Sequence, residues 1–175
     1  MSRRPVLAVI GSGDAVPEVL GVAEVLGAAA VTAGFRVVTG GRGGVMAAAS
    51  RGARTCPAWT DGSVLGILPG EDAAEANEWV DIALPTGLGI ARNVLVVRAA
   101  DVVVAVAGGS GTLSEIALAW QLGRPVLALP SCGGWAEQLA GRALDDRRGD
   151  RIHPARTPAE AVSLAQLLLS SASSV

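Results

Sequence analysis

No run in the chain is more constraining than Asp101 to Gln121, DVVVAVAGGSGTLSEIALAWQ. Its first part, Val102 to Ala107, is apolar and rich in β-branched valine, too short for a helix of its own, and reads as a strand buried on both faces. GGSGT follows. From Thr112 onward Leu113, Ile116, Ala117, Trp120 and Gln121 recur at helical spacing, and Thr112 with Glu115 has the spacing of a capping box, so the second part reads as a helix. Strand, glycine loop and helix in this order make an anion site. Glycine lets the backbone come close, and the free N–H groups and dipole of the new helix favour negative charge. The expected ligand is a phosphorylated small molecule.

Composition narrows what surrounds that unit. A chain of 175 residues has the size of one ordinary domain and can bury a core without staples, so residues 1–175 are expected to form a single domain. Half of the residues are hydrophobic, yet no apolar run approaches the roughly 20 residues that span a bilayer. The opening MSRRPVLAVIGSG puts two arginines before a short apolar run that ends in a glycine turn. It reads as a first strand and not a leader, so the expectation is a cytoplasmic protein with no membrane partner.

A net charge of −2 argues against nucleic acid as a partner, because such binding rests on a basic face, and one Phe with no Tyr leaves few stacking platforms. Cys56 and Cys132 have no CxxC or histidine beside them and read as structural thiols. All fourteen basic residues are arginine. The absence of lysine removes Schiff-base chemistry, pyridoxal phosphate attachment and the P-loop lysine. A single histidine, His153, leaves little for a histidine triad or a multi-histidine metal site. Neither a metal site nor a required cofactor is expected.

Strand and helix alternate along the rest of the chain. Pro5 to Ile10 reads as a strand with Gly11 to Asp14 as its exit turn, and Val16 to Ala33 as a helix ending at Gly34. Phe35 to Thr39 is the second strand, followed by Gly40-Gly41-Arg42-Gly43-Gly44 and a small-residue helix from Val45 to Arg54. Strands are expected at Ser63 to Leu68 and Trp79 to Leu84, joined by a solvated acidic connection holding Glu71, Asp72, Glu75 and Glu78. After the turn from Pro85 to Gly89, a nearly all-apolar helix from Ile90 to Ala100 is expected to be buried, in the domain or in a homo-oligomer contact. Beyond the organising unit lie a strand from Pro125 to Leu129, a helix from Gly133 to Ala143, a charged turn from Asp145 to Asp150 and an edge strand from Arg151 to Ala155. Thr157, Pro158 and Glu160 supply an N-cap, a first-turn proline and a capping glutamate for a last helix to about Leu169, and SSASSV reads as a frayed tail.

The expected fold class is α/β: a doubly wound, mostly parallel sheet of six to seven strands, Rossmann-like, with helices on both faces. Its ligand belongs at the carboxyl ends of the strands, near a topological switch point. That rule gathers four turns on one rim, Gly11 to Asp14, Gly40 to Gly44, Thr86 to Arg92 and Gly108 to Thr112. Any single glycine turn is explained by backbone geometry alone, but four after strands imply at least two ligand contacts. The candidates for phosphate or nucleotide contact are Gly11, Ser12, Gly40, Gly41, Gly43, Gly44, Met46, Thr86, Gly87, Asn93, Gly108, Gly109, Ser110, Gly111 and Thr112.

Arg92 stands out, because a cation in the first turn of an apolar helix opposes the dipole by roughly 0.3–1 kcal/mol and calls for an anion nearby. Its partner is either a carboxylate such as Glu115 or a ligand phosphate. Glu115 in turn either closes the capping box or faces a sugar. Arg92 and Glu115 converging on a ribosyl carbon would suit cleavage of a glycosidic bond.

AGGSGTLSE from Ala107 to Glu115, GGRGGVMAAA from Gly40 to Ala49 and TGLGIARN from Thr86 to Asn93 together resemble the LOG-like superfamily of Rossmann-type proteins. It includes the Lonely Guy cytokinin-activating phosphoribohydrolases, proteins once labelled lysine decarboxylases, and the molybdenum cofactor carrier proteins. The hydrolase branch has the pattern PGGxGTxxE, preceded by an arginine-lysine pair. By that resemblance Arg92 and Glu115 are a catalytic pair, while Gly108, Gly109, Gly111 and Thr112 hold a 5′-phosphate. Two positions depart from it: Ala107 stands in place of proline and Asn93 in place of lysine. The ARN form resembles the carrier-protein branch, which implies a nucleotide or molybdopterin-like ligand more strongly than hydrolysis. Pyridoxal-dependent decarboxylation is excluded by the missing lysine.

Overall fold

In a computed structural model that describes residues 3–172, seven strands form one sheet in which every pairing is parallel. In chain order the strands are β1 (Val6–Gly11), β2 (Arg36–Thr39), β3 (Val64–Leu68), β4 (Ile82–Pro85), β5 (Val102–Val106), β6 (Val126–Leu129) and β7 (His153–Pro154). The helices are α1 (Pro17–Thr32), α2 (Val45–Thr55), α3 (Asn93–Ala99), α4 (Ser110–Gln121), α5 (Gly134–Leu139) and α6 (Pro158–Ala172). Spatial order is β4-β3-β2-β1-β5-β6-β7. The chain therefore winds outward from β1 to β4, returns across the sheet, and winds outward again from β5. The switch point lies between β1 and β5, where Leu7 to Gly11 run beside Val102 to Val106.

Alternate residues of the central strands feed two cores. Leu7, Val9, Val102, Val104 and Val106 meet α1, α2 and α6 on one face. Ala8, Ile10, Val103 and Ala105 meet α3, α4 and α5 on the other. That arrangement is why β1 and β5 read as unbroken apolar runs. On the first face α1 and α2 touch through their backbones. A side chain at Gly27 would collide with the carbonyl of Ala49, and one at Gly52 with that of Glu24. Among the described residues no helix is long and apolar enough to cross a membrane.

Several expected elements are shortened, and each has a local cause. The fourth strand begins at Ile82 and not Trp79, because Asn77 holds residues 77–80 in a turn, accepting from Trp79 N–H on its side chain and from Val80 N–H on its carbonyl. Asp81 is then drawn inward, its carboxylate receiving Arg54, the Trp59 indole N–H and Val64 N–H. The helix expected from Ile90 to Ala100 is a 3₁₀ turn at Gly89–Arg92 followed by the short α3. The helix expected from Gly133 to Ala143 is only α5, and the edge strand from Arg151 to Ala155 only β7. At the last helix Thr157 Oγ accepts Glu160 N–H at 3.2 Å, while the glutamate reaches back one residue further than expected, to Arg156 N–H. Ser170 to Ala172, expected in the frayed tail, continue α6, and residues 173–175 lie outside the described residues.

Candidate functional site

The carboxyl ends of β1, β2 and β5 open into a cleft of about 360 Å³, within the range of small-molecule sites. One wall is Gly11, Ser12 and Gly13 after β1; the facing wall is Gly109 to Thr112 at the start of α4, with Glu115 one turn further in. Gly40, Met46, Ile90, Arg92 and Asn93 complete it, over a floor of Val9 and Ile10.

The capping box expected at Thr112 and Glu115 is not formed. Helix α4 begins two residues earlier, at Ser110 with Gly109 as its cap residue, and no side chain caps it. Its first intrahelical bond runs from Leu113 N–H to Gly109 C=O at 3.0 Å, so the N–H groups of Ser110, Gly111 and Thr112 are left to the cleft. Its first turn holds no acidic side chain. The result is an uncapped, electropositive helix end at the switch point.

The loop feeding α4 is held in an unusual conformation. Ala107 has φ 52°, the one non-glycine residue with positive φ among the described residues. Its carbonyl and that of Gly108 accept the N–H groups of Ala136 and Trp135, each at 3.1 Å, so the first turn of α5 fixes the loop from behind. Proline, whose ring locks φ near −65°, cannot adopt this geometry. The loop as it is built here therefore excludes proline at 107 and accommodates alanine.

Arg92 is 9% exposed and Glu115 7% exposed. Their charges face each other, Arg92 Nη1 lying 4.0 Å from Glu115 Oε1, at the outer limit of an ion pair. Burial dominates both groups. It lowers the affinity of Arg92 for its proton, with Glu115 opposing that effect and Arg42 adding to it. It pushes Glu115 up to about 7, with Arg92 recovering only part. Among the described residues the Arg92 guanidinium makes no hydrogen bond, and its Nε is buried without a partner. A buried guanidinium left this way is strongly disfavoured unless an anion arrives. Gly40 makes room for it, since a side chain there would collide with both terminal nitrogens.

The other candidates divide by position. Gly11, Ser12, Gly40, Met46, Asn93, Gly109, Ser110, Gly111 and Thr112 line the cleft. Gly41, Gly43, Gly44, Thr86, Gly87 and Gly108 do not. Gly44, at φ 63°, packs on the Ser12 carbonyl, and Gly108, at φ 100°, on the Thr112 side chain. Gly41 presses on Leu68, and Gly43 stands near the Gly13 carbonyl. Thr86 donates its hydroxyl to Leu68 C=O at 2.7 Å, and Gly87 N–H bonds Gly70 C=O. Lining residues that sequence reasoning passed over are Val9, Ile10, Gly13 and Ile90. The first two look like plain core strand, and Gly13 belongs to the exit turn from Gly11 to Asp14. Ile90 begins the segment expected to be buried in the domain or in a homo-oligomer contact, and in the single chain it is 90% exposed on the 3₁₀ turn. Among the described residues no group of three or more His, Cys, Asp or Glu side chains is placed to hold a metal ion.

Known proteins share this architecture over nearly its whole length. The chain is 34% identical to the molybdenum cofactor binding protein of Rippkaea orientalis, with TM-score 0.83 over 97% of this chain and 99% of that one. It is 35% identical to the molybdenum cofactor carrier protein of Chlamydomonas reinhardtii, with TM-score 0.80 over 95% and 99%. An uncharacterized protein of Archaeoglobus fulgidus is 37% identical over 123 residues, 70% of this chain and 78% of that one. Residues 4–162 match the SLOG cluster4 family, which agrees with the LOG-like resemblance of the three glycine motifs, and the chain belongs to that family.

Proposed function

We propose that this chain binds a phosphorylated small molecule, a nucleotide or the pterin phosphate of a molybdenum cofactor, with the phosphate between Arg92 and the start of α4. The observation that carries this reading is the convergence of a buried guanidinium lacking any hydrogen bond with three uncapped amides on one cleft. The relatives named for binding or carrying the molybdenum cofactor support it. The lining offers one carboxylate and neither thiol nor imidazole, so the phosphate ester is the part of such a cofactor that these residues suit. Protein purified from a host that makes the cofactor is expected to carry a pterin that becomes fluorescent on oxidation, and Arg92→Ala to lose it. Calorimetry with adenosine 5′-monophosphate and inorganic phosphate tests the phosphate site directly, and no binding of either would refute it.

A second reading, a nucleoside 5′-monophosphate phosphoribohydrolase, is favoured by Glu115 alone: a buried carboxylate held near neutrality and open to the cleft. In that reaction Glu115, as carboxylate, takes a proton from the attacking water, the water oxygen bonds to the ribosyl carbon as the N-glycosidic bond breaks, and the same proton passes from Glu115 to the departing base. Release of ribose 5-phosphate by the wild type and not by Glu115→Ala would establish it. The absence of release across a panel of nucleotides would reject it. We further infer self-association through the exposed apolar residues Leu84, Leu88, Ile90 and Leu95 beside the cleft.

A further inference from the structure

Resting on the phosphate reading of the cleft, we infer that the ligand carries two linked anionic groups, as a diphosphate ester does, and that Arg42 holds the second. Arg42 stands two residues beyond Gly40, on whose backbone the Arg92 guanidinium rests. The next residues, Gly43 and Gly44, lie against the backbone of Gly13 and Ser12, which belong to the wall of the cleft that faces α4. The backbone of Arg42 is thus bracketed by two parts of the site.

The base of this residue is fixed and its head is not. Asn77 clamps the loop, donating its side-chain amide to the carbonyls of Gly41 at 3.1 Å and Arg42 at 3.0 Å. Among the described residues the guanidinium has one partner, Glu75 at 2.8 Å, and both side chains are more than one-third exposed. Gly70 leaves the space that the Glu75 carboxylate occupies. An exposed pair of this kind contributes little net stability, whereas a guanidinium meets phosphate through two parallel, charge-assisted bonds. Exchange of Glu75 for a ligand phosphate is therefore favourable. One phosphate on the start of α4 engages Arg92; a second, one bridging oxygen away, extends toward the loop that carries Arg42.

The test compares inorganic phosphate and pyrophosphate by calorimetry at low salt. The wild type is expected to bind pyrophosphate at least tenfold tighter than phosphate, and Arg42→Gln to bring that ratio near one. Glu75→Gln, which frees the guanidinium, is expected to raise pyrophosphate affinity several-fold. Arg51→Gln, which removes an equally exposed positive charge from the Glu24 pair on α2, controls for net charge and should leave the ratio intact. If the wild type binds phosphate but Arg42→Gln keeps the full pyrophosphate advantage, the second subsite is refuted and the phosphate reading stands. If neither anion binds the wild type, the phosphate reading fails and the second subsite with it.

Discussion

Replacing Glu115 by glutamine tests the electrostatics of the cleft while keeping its shape. Burial raises this carboxyl from the 4.5 of an unburied glutamate to about 7, so the folded protein holds the proton more tightly than the unfolded chain does. The stability supplied by the bound proton is fully present below pH 4.5 and is lost as pH rises through about 7. A displacement of that size corresponds to about 3 kcal/mol, and for a chain of this length to roughly 10 °C in Tm. Glutamine has no proton to lose. The variant also leaves Arg92 without its counter-charge, which shifts its stability by an offset, so the informative quantity is how the wild-type and variant difference changes with pH. Between pH 4.5 and 8.5 that difference should move by about 3 kcal/mol in favour of Glu115→Gln. Urea unfolding followed by tryptophan fluorescence at half-unit pH steps measures it. Stability curves that run parallel across the range would refute a buried, proton-binding Glu115.

Gly52→Ala should destabilise by about 1–3 kcal/mol in urea unfolding, because the new methyl group meets the Glu24 carbonyl and forces α1 and α2 apart. Asp81→Ala should lose about 3–5 kcal/mol in the same assay, since it leaves the Trp59 indole N–H, the Val64 N–H and Arg54 without their shared carboxylate. At position 107 glycine should be tolerated or stabilising by up to about 1 kcal/mol, and proline should lower Tm and phosphate affinity together. Light scattering at micromolar concentration should give a dimer or larger species, and Ile90→Asp should shift it toward monomer.

The fold was legible because its signals are local. Unbroken valine runs, turns of glycine and helices of small residues require no knowledge of distant parts of the chain, and they placed β1, β2, β3, β5 and β6 to within a residue or two. Errors arose where a distant partner overrides local preference. Trp79 has the composition of a strand, but Asn77, which also binds the 41–42 carbonyls, turns the chain there. Glu115 has the spacing of a capping residue, yet capping would place its carboxylate at the helix end. The loop fixed by α5 instead starts the helix at Ser110, and Glu115 then falls on the face that looks at Arg92. No spacing rule contains the φ of Ala107 that brings this about.

The same shift explains why the site is poised for a ligand. Starting α4 at Ser110 exposes three amides, removes the glutamate that would have neutralised them, and buries that glutamate beside an arginine it does not quite reach. Each of these features is unfavourable in the empty protein. The two apolar cores on either face of the sheet supply the stability that tolerates them. On the phosphate reading proposed above, an anion in the cleft would reverse every one: it would satisfy the amides, hydrogen-bond Arg92, and raise the proton affinity of Glu115 further. Binding near pH 7.5 should therefore draw in a proton, and the heat of phosphate binding should vary with the ionisation enthalpy of the buffer. Glu115→Gln should keep only the dependence that the ionisation of phosphate itself brings. A wild-type dependence equal to that of Glu115→Gln would separate the carboxylate from the anion site and leave it without a part in recognition.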